Sequence, residues 1–64
     1  MDWYISDENL YIFGPIIRAE DVAVKEIFPG VYQITPILAG AYVTIKDGER
    51  FRAFVFSATT WVTE

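Results

Sequence analysis

The feature that most constrains the fold of this chain is a regular alternation of short strand-forming runs with turn-forming residues. Runs rich in aromatic and β-branched residues, such as Trp3 to Ile5 and Val31 to Thr35, are separated by groups such as Ser6-Asp7-Glu8-Asn9 and Pro29-Gly30. Runs of this length and composition are typical of antiparallel sheets. The sequence therefore predicts an all-β domain, built as a small five- or six-stranded antiparallel barrel or curled sheet of SH3-like or OB-like size.

The positions of proline and glycine predict where the strands are interrupted. Pro15 has no amide hydrogen for a ladder, so Gly14-Pro15 marks an edge strand or a break. Proline followed by glycine at Pro29-Gly30 is the signature of a type II turn. Pro36 to Gly40 predicts a bulge or a sheet corner, and residues 59–63 can add a final strand.

Residues 19–28 allow two interpretations. Their valines favour extended backbone, and we expect a strand over residues 19–28, a turn at Pro29-Gly30 and a second strand over residues 31–35. The alternative is an α+β fold with one short helix over residues 19–28. That interpretation rests on five apolar residues that would share one helical face: Ala19, Ala23, Val24, Ile27 and Phe28.

The strongest local signal is a hairpin around Lys46-Asp47-Gly48, between strands over residues 42–45 and 49–56. A two-residue loop would place Val43 opposite Arg52 and mix apolar with charged side chains on one face. A three-residue loop, with Gly48 in the left-handed conformation, places Val43 opposite Phe51 and separates the two kinds of residue. Because register follows the burial of one face, we predict the second pairing.

In this register, one face of the hairpin combines arginines with aromatic residues, which are enriched at protein interfaces. We therefore predict a partner-binding surface, with a cation–π contact between Arg52 and Tyr42 and with Trp61 as a further aromatic anchor. The alternative is that Phe54 and Phe56 belong to the core, and that Trp61 packs with Trp3 to close the sheet. The predicted partner-binding residues are Tyr42, Arg50, Arg52, Phe54, Phe56 and Trp61.

The composition argues against most common kinds of catalytic and binding chemistry. The chain has no histidine and no cysteine, so we predict no catalytic residue, no metal site, no cofactor and no enzyme activity. Five basic residues against nine acidic ones give a net charge of −4, and we expect no direct contact with nucleic acid, which needs a basic surface. The apolar runs are too short to span a membrane, and we expect a cytoplasmic protein, located in the host cytoplasm or the virion if it is viral.

The 64 residues are predicted to form a single domain, 1–64, of marginal stability. Area scaling predicts about 4,200 Å² of accessible surface in the folded state, with about 60% of the unfolded surface buried. Apolar burial then contributes ~95 kcal/mol, and ordering the chain costs ~95 kcal/mol. Because neither a disulfide nor a zinc site can add stability, we expect the chain to self-associate.

Together these features predict a non-enzymatic protein–protein interaction module that self-associates as a structural or assembly accessory protein. Its size, acidity and lack of cysteine are similar to those of small accessory proteins in phage genomes, an analogy that rests on no motif. The alternative is a small acidic inhibitor of a host enzyme, such as one that handles nucleic acid, in which carboxylates imitate phosphates. The acidic residues concerned are Asp7, Glu8, Glu20, Asp21, Glu26, Asp47 and Glu49, although turn chemistry also accounts for Asp7 and Asp47.

Overall fold

Extended backbone accounts for most of the computed structural model, which describes residues 2–58 and 60–63. These residues contain no helix, so the all-β prediction is confirmed and the alternative helix over residues 19–28 is wrong. The β-branched residues of that segment fit a pleated sheet better than a helix. The strands are β1 (Trp3–Ser6), β2 (Asn9–Phe13), β3 (Ile16–Glu20), β4 (Val22–Phe28), β5 (Val31–Pro36), β6 (Tyr42–Asp47), β7 (Arg50–Ser57) and β8 (Thr60–Thr63).

The strands form two antiparallel sheets of four strands each. The first sheet has the order β1-β2-β5-β4 and the second has the order β3-β6-β7-β8. In the described part of the chain the sheets do not close into a barrel, and the strands outnumber the five or six predicted. The reason is that the chain changes sheet at Asp21, which divides a continuous segment into β3 and β4.

The core lies between the two sheets and follows the two-residue period of each strand. Because successive side chains of a strand point to opposite faces, each sheet has one buried and one outward face. The first sheet contributes Leu10, Ile12 and Ile34, and the second contributes Val43, Ile45 and Phe54. Each of these six side chains is at most 1% exposed.

The hairpin of β6 and β7 has a register that differs from both predicted pairings. The loop between the strands consists of Gly48 and Glu49, which shifts β7 relative to the prediction. The observed pairs include Val43 with Phe54, Ile45 with Arg52, and Asp47 with Arg50. Both faces of β7 carry apolar residues, so the pattern along the strand does not fix the register, and the packing of Phe54 into the core does.

Two glycines take the left-handed conformations that their turns require. Gly48 has a φ of 64°, as predicted, and it is the first residue of a two-residue hairpin loop, where a type II′ turn needs glycine. Gly30 has a φ of 77°, which suits the third position of the type II turn predicted at Pro29-Gly30. These turns set the pairing of β6 with β7 and of β4 with β5.

Asp21 forms the corner between β3 and β4, where the chain passes from the second sheet to the first. Its φ is 59°, a left-handed value that aspartate tolerates better than most residues. The Asp21 carbonyl accepts a hydrogen bond from the Ile37 amide at 2.9 Å. Ile37 belongs to the segment after β5 that leads back to the second sheet, so the corner predicted at residues 36–40 is tied to this one.

The accessible surface of the chain is 4247 Å², close to the value of about 4,200 Å² that scaling predicts. Several large apolar side chains nevertheless remain exposed, among them Phe28 at 68% and Phe51 at 66%. These two rings lie on different sheets, so they belong to different surfaces. A helix with the length and hydropathy of a membrane span does not occur in the described residues.

Candidate interaction surface

The six residues predicted to bind a partner do not form one surface. Arg50, Arg52, Phe54 and Phe56 alternate along β7 and share its inner face. Tyr42 lies on the outer face of the same sheet, because it pairs with a residue between the β7 phenylalanines. The prediction that Tyr42 shares a face with these arginines and phenylalanines is therefore wrong, since it followed from the incorrect hairpin register.

The aromatic members of the predicted site pack inside the molecule. Phe54 is fully buried and meets the Trp3 ring edge to face at a centroid distance of 4.7 Å. Phe56 packs against the core and lies 6.1 Å from the Trp61 ring. Trp61 is 7% exposed, and its indole Nε1 donates a hydrogen bond to the Glu8 carbonyl at 3.2 Å. Trp3 and Trp61 thus pack on different phenylalanines at the core.

Arg52 links the two sheets through partners in its own chain. Its Nε donates a hydrogen bond to Asp47 Oδ2 at 2.7 Å, and its guanidinium carbon lies 5.7 Å from the centre of the Trp3 ring. A hydrogen bond between the carboxyl groups of Asp2 and Asp47 raises the pKa of Asp2. The same bond, together with Arg52, lowers the pKa of Asp47. Arg52 therefore joins β7 to β1 in the folded chain.

Tyr42 contacts an arginine other than the predicted one. The guanidinium carbon of Arg18, in β3, lies 5.2 Å from the centre of the Tyr42 ring. Arg18 Nη2 also donates a hydrogen bond to Glu20 Oε1 at 3.2 Å. Partial burial raises the pKa of Tyr42, and a hydrogen bond with Glu20 raises it further. The predicted cation–π contact between Arg52 and Tyr42 is wrong, because these residues lie on opposite faces of the second sheet.

A different surface, the outer face of the first sheet, collects exposed rings from three strands. We call it the aromatic face and define it by the strand residues of that sheet that alternate with the inward-facing ones. It comprises Tyr4, Ser6, Asn9, Tyr11, Phe13, Ala23, Lys25, Phe28, Val31, Gln33 and Thr35. Tyr4, Phe13 and Phe28 are 38%, 41% and 68% exposed. At 150–250 Å² per ring, these three alone present roughly 300 Å², the size of the largest apolar patches on monomeric proteins.

Cross-strand pairing arranges the aromatic face in three rows. The apolar row consists of Phe13, Val31 and Phe28, which lie opposite one another on β2, β5 and β4. The tyrosine row consists of Tyr4, Tyr11, Gln33 and Lys25, on β1, β2, β5 and β4. The polar row consists of Ser6, Asn9, Thr35 and Ala23, in the same strand order. The aromatic face thus becomes more hydrophobic from the polar row, through the tyrosine row, to the apolar row.

Contacts within the aromatic face hold its side chains in place. The rings of Tyr4 and Tyr11 stack at 4.6 Å with an interplanar angle of 10°. Gln33 Nε2 donates a hydrogen bond to Tyr11 Oη at 3.3 Å, and Thr35 Oγ1 donates one to Asn9 Oδ1 at 2.6 Å. A surface whose rotamers and polar groups are already ordered loses less entropy when it is covered by a partner.

The aromatic face is almost free of charge. Among its strand residues, Lys25 is the one charged side chain that the structure describes. The acidic residues considered above lie elsewhere: Asp7 and Glu8 form the β1–β2 turn, and Asp47 flanks the β6–β7 turn at the opposite end of the molecule. Depletion of charge together with enrichment of aromatic residues distinguishes the centre of an interface from ordinary surface.

The outer face of the second sheet is more mixed in character. Phe51 and Val62 are exposed there, but Arg18, Glu20 and Lys46 lie on the same face. Phe51 matches Phe28 in residue type and in exposure, while lying on the other side of the molecule. It therefore provides a control for any effect of removing an exposed ring.

The sequence interpretation missed the aromatic face because local sequence signals only part of it. One local signal was available: a two-residue loop at Asp7 and Glu8 places Tyr4 opposite Tyr11. The position of Phe28 beside Val31 and Phe13 depends on long-range pairing that no local pattern reveals.

In the residues that the structure describes, no group of three or more acidic side chains is placed to hold a metal ion, and no cavity is found. Searches of protein-family models, curated proteins and solved structures gave no match to this chain.

Proposed function

We propose that this chain is a non-enzymatic protein-interaction module that self-associates through its aromatic face, in the manner of a structural or assembly accessory protein. The observation that carries the proposal is the continuous surface of rings from β1, β2 and β4, among which Lys25 is the one charged strand residue described. The apolar row of this surface loses water readily, because Phe13, Val31 and Phe28 carry no polar group that has to be desolvated.

The composition supports a binding role over a catalytic one. Without histidine or cysteine, the chain lacks the side chains that most often act as acid, base or nucleophile at neutral pH. Its nine acidic residues also oppose binding to nucleic acid. A protein surface is the partner whose chemistry suits an aromatic face with a single charged strand residue.

The marginal size of the chain supports self-association in particular. A domain of 64 residues buries a small core, and covering exposed rings adds apolar burial that the monomer lacks. Each ring of the aromatic face that becomes buried contributes in proportion to the area it loses to the partner. Association is therefore expected to raise the stability of the folded chain with increasing concentration.

Sedimentation velocity at protein concentrations from ~1 µM to ~300 µM would test this proposal, because a homodimer with a dissociation constant in that range changes from mostly monomer to mostly dimer. We expect a discrete oligomer whose population grows with concentration. Phe28→Ser should weaken its association at least ~10-fold, since Phe28 is the most exposed ring of the aromatic face and loss of an aromatic anchor often costs more than ~1.4 kcal/mol. Phe51→Ser, the matched control on the other sheet, should change it less than ~3-fold.

A wild-type chain that stays monomeric throughout this range would refute self-association. That result would favour the alternative, an inhibitor that docks the same exposed face on another protein. Equal weakening by Phe28→Ser and Phe51→Ser would show that the aromatic face has no special role.

A further inference from the structure

We infer that two copies of the chain meet face to face across their aromatic faces, related by a two-fold axis that runs along the strands midway between β2 and β5. This inference rests on the proposed self-association and adds its geometry. It follows from the strand order β1-β2-β5-β4, which places two strands on each side of that axis. The axis lies in the interface, so the strand order of one copy is reversed over that of the other.

This arrangement places each row of one copy over the same row of the other. In the apolar row, Phe13 of one copy covers Val31 of the other, because β2 lies over β5. In the polar row, Asn9 covers Thr35 in the same way. On these two central strands, apolar side chains thus meet apolar ones, and hydrogen-bonding side chains meet hydrogen-bonding ones. An axis running across the strands would instead set the apolar row on the polar row.

The same axis gives the charge of Lys25 a partner. Lys25 and Tyr4 occupy opposite ends of the tyrosine row, on the edge strands β4 and β1. Reversal of the row puts Lys25 of each copy over Tyr4 of the other. An ammonium group is attracted to a tyrosine ring and can donate a hydrogen bond to its hydroxyl. Two such contacts form at once, one on each side of the axis.

The available area is sufficient for a stable dimer. The molecule measures 28 × 24 × 18 Å and has a surface of 4247 Å². A face that spans its two longer dimensions is about a fifth of that surface, roughly 900 Å², which sets the upper limit of the contact, and a standard interface buries about 800 Å² per partner. The acidic turns lie at the two ends of the sheets, outside this contact, so the like charges of the copies are kept at its margin.

Charge substitutions at the two ends of the tyrosine row test the geometry. Lys25→Glu and Tyr4→Lys should each weaken homodimerisation at least ~10-fold, because one places a carboxylate over a tyrosine and the other opposes two ammonium groups. Mixing the two variants in equal amounts should restore a dimer that contains one copy of each. In that mixed dimer one contact joins the introduced opposite charges, and the other keeps the original lysine and tyrosine.

Native mass spectrometry separates the mixed dimer from the homodimers by mass, and sedimentation equilibrium measures the affinities. We expect the mixed dimer to bind at least ~10-fold more tightly than either variant binds itself. A contact between residues 4 and 25 of the same copy cannot explain a restored dimer, because Tyr4 and Lys25 of one copy lie three strand spacings apart, about 14 Å. Lys46→Glu, on the outer face of the second sheet, is the control for the change in net charge.

The outcomes separate this geometry from the proposed function. If the wild type dimerises but the two variants do not combine on mixing, the two-fold arrangement is overturned and self-association stands. If Lys46→Glu weakens the dimer as much as Lys25→Glu does, the effect comes from net charge and the arrangement is likewise overturned. A wild-type chain that never dimerises overturns both.

Discussion

Replacing Phe54 and Phe51 in turn tests which face of β7 is buried. Phe54 is fully buried and makes an edge-to-face contact with Trp3 at 4.7 Å, whereas Phe51 is 66% exposed. Phe54→Ala should cost about 3–5 kcal/mol of unfolding free energy, of which the ring pair supplies about 0.5–1.5 kcal/mol. Phe51→Ala should cost at most about 1 kcal/mol, through reduced strand propensity.

Urea unfolding followed by tryptophan fluorescence measures both values, at protein concentrations low enough to avoid association. A chain of this length has about 3–10 kcal/mol of stability in total, so Phe54→Ala can leave it largely unfolded. Phe54→Leu then gives a smaller loss in the same direction. In the three-residue-loop register Phe51 would face the core, and a larger loss at Phe51 than at Phe54 would refute the observed register.

Two further predictions concern the turn and the carboxyl pair. Asp7 and Glu8 both have positive φ, 50° and 64°, as in a type I′ turn, and glycine adopts such values with less strain than glutamate. Glu8→Gly should therefore raise the free energy of unfolding by about 1 kcal/mol and the melting temperature by about 4–8 °C. A lower melting temperature in calorimetry would contradict this. The hydrogen bond between the carboxyl groups of Asp2 and Asp47 raises the pKa of Asp2 and lowers that of Asp47. The protonated Asp2 therefore stabilises the fold at and below its ordinary pKa of 3.8, and this contribution is lost as the pH rises through the raised value. The Asp47 contribution has the opposite sign: it is present above pH 3.8 and is lost as the pH falls through the lowered pKa. Asp2→Asn keeps a hydrogen-bond donor without the charge, so it should be more stable than the wild type at pH 7. The stability of this variant should also vary less with pH than that of the wild type just above pH 3.8. Identical urea midpoints for the two proteins from pH 3 to 7 would disprove the role assigned to the Asp2 carboxyl.

The parts of the fold that the sequence predicted correctly depend on local chemistry. Pro15 and the Pro29-Gly30 pair mark a strand break and a turn because their backbone restrictions act within a few residues. The corner at Asp21 carried no such signal, since a left-handed aspartate is indistinguishable in sequence from one in a strand. That corner sends one continuous segment into two sheets, and the predicted strand number was too low for this reason.

The candidate surface was harder to predict because it depends on the pairing of distant strands. The alternation of side chains along β7 does not show which face is buried, because Phe51 and Val55 lie on one face and Phe54 and Phe56 on the other. A shift of register changes which residues share a face, and it misplaced Tyr42 relative to Arg52. The choice is made by the opposite sheet, where Trp3 provides the ring against which Phe54 packs.

The hydrogen bond from the Trp61 indole to the Glu8 carbonyl joins residues 53 positions apart in the chain. It ties the last strand to the first turn, and Trp61 also fills part of the core. Folds closed by contacts of such sequence separation form slowly, on a timescale of milliseconds to seconds. During synthesis the β1–β2 hairpin therefore cannot reach its final packing until residue 61 has left the ribosome, and its apolar side chains stay accessible to chaperones in the meantime.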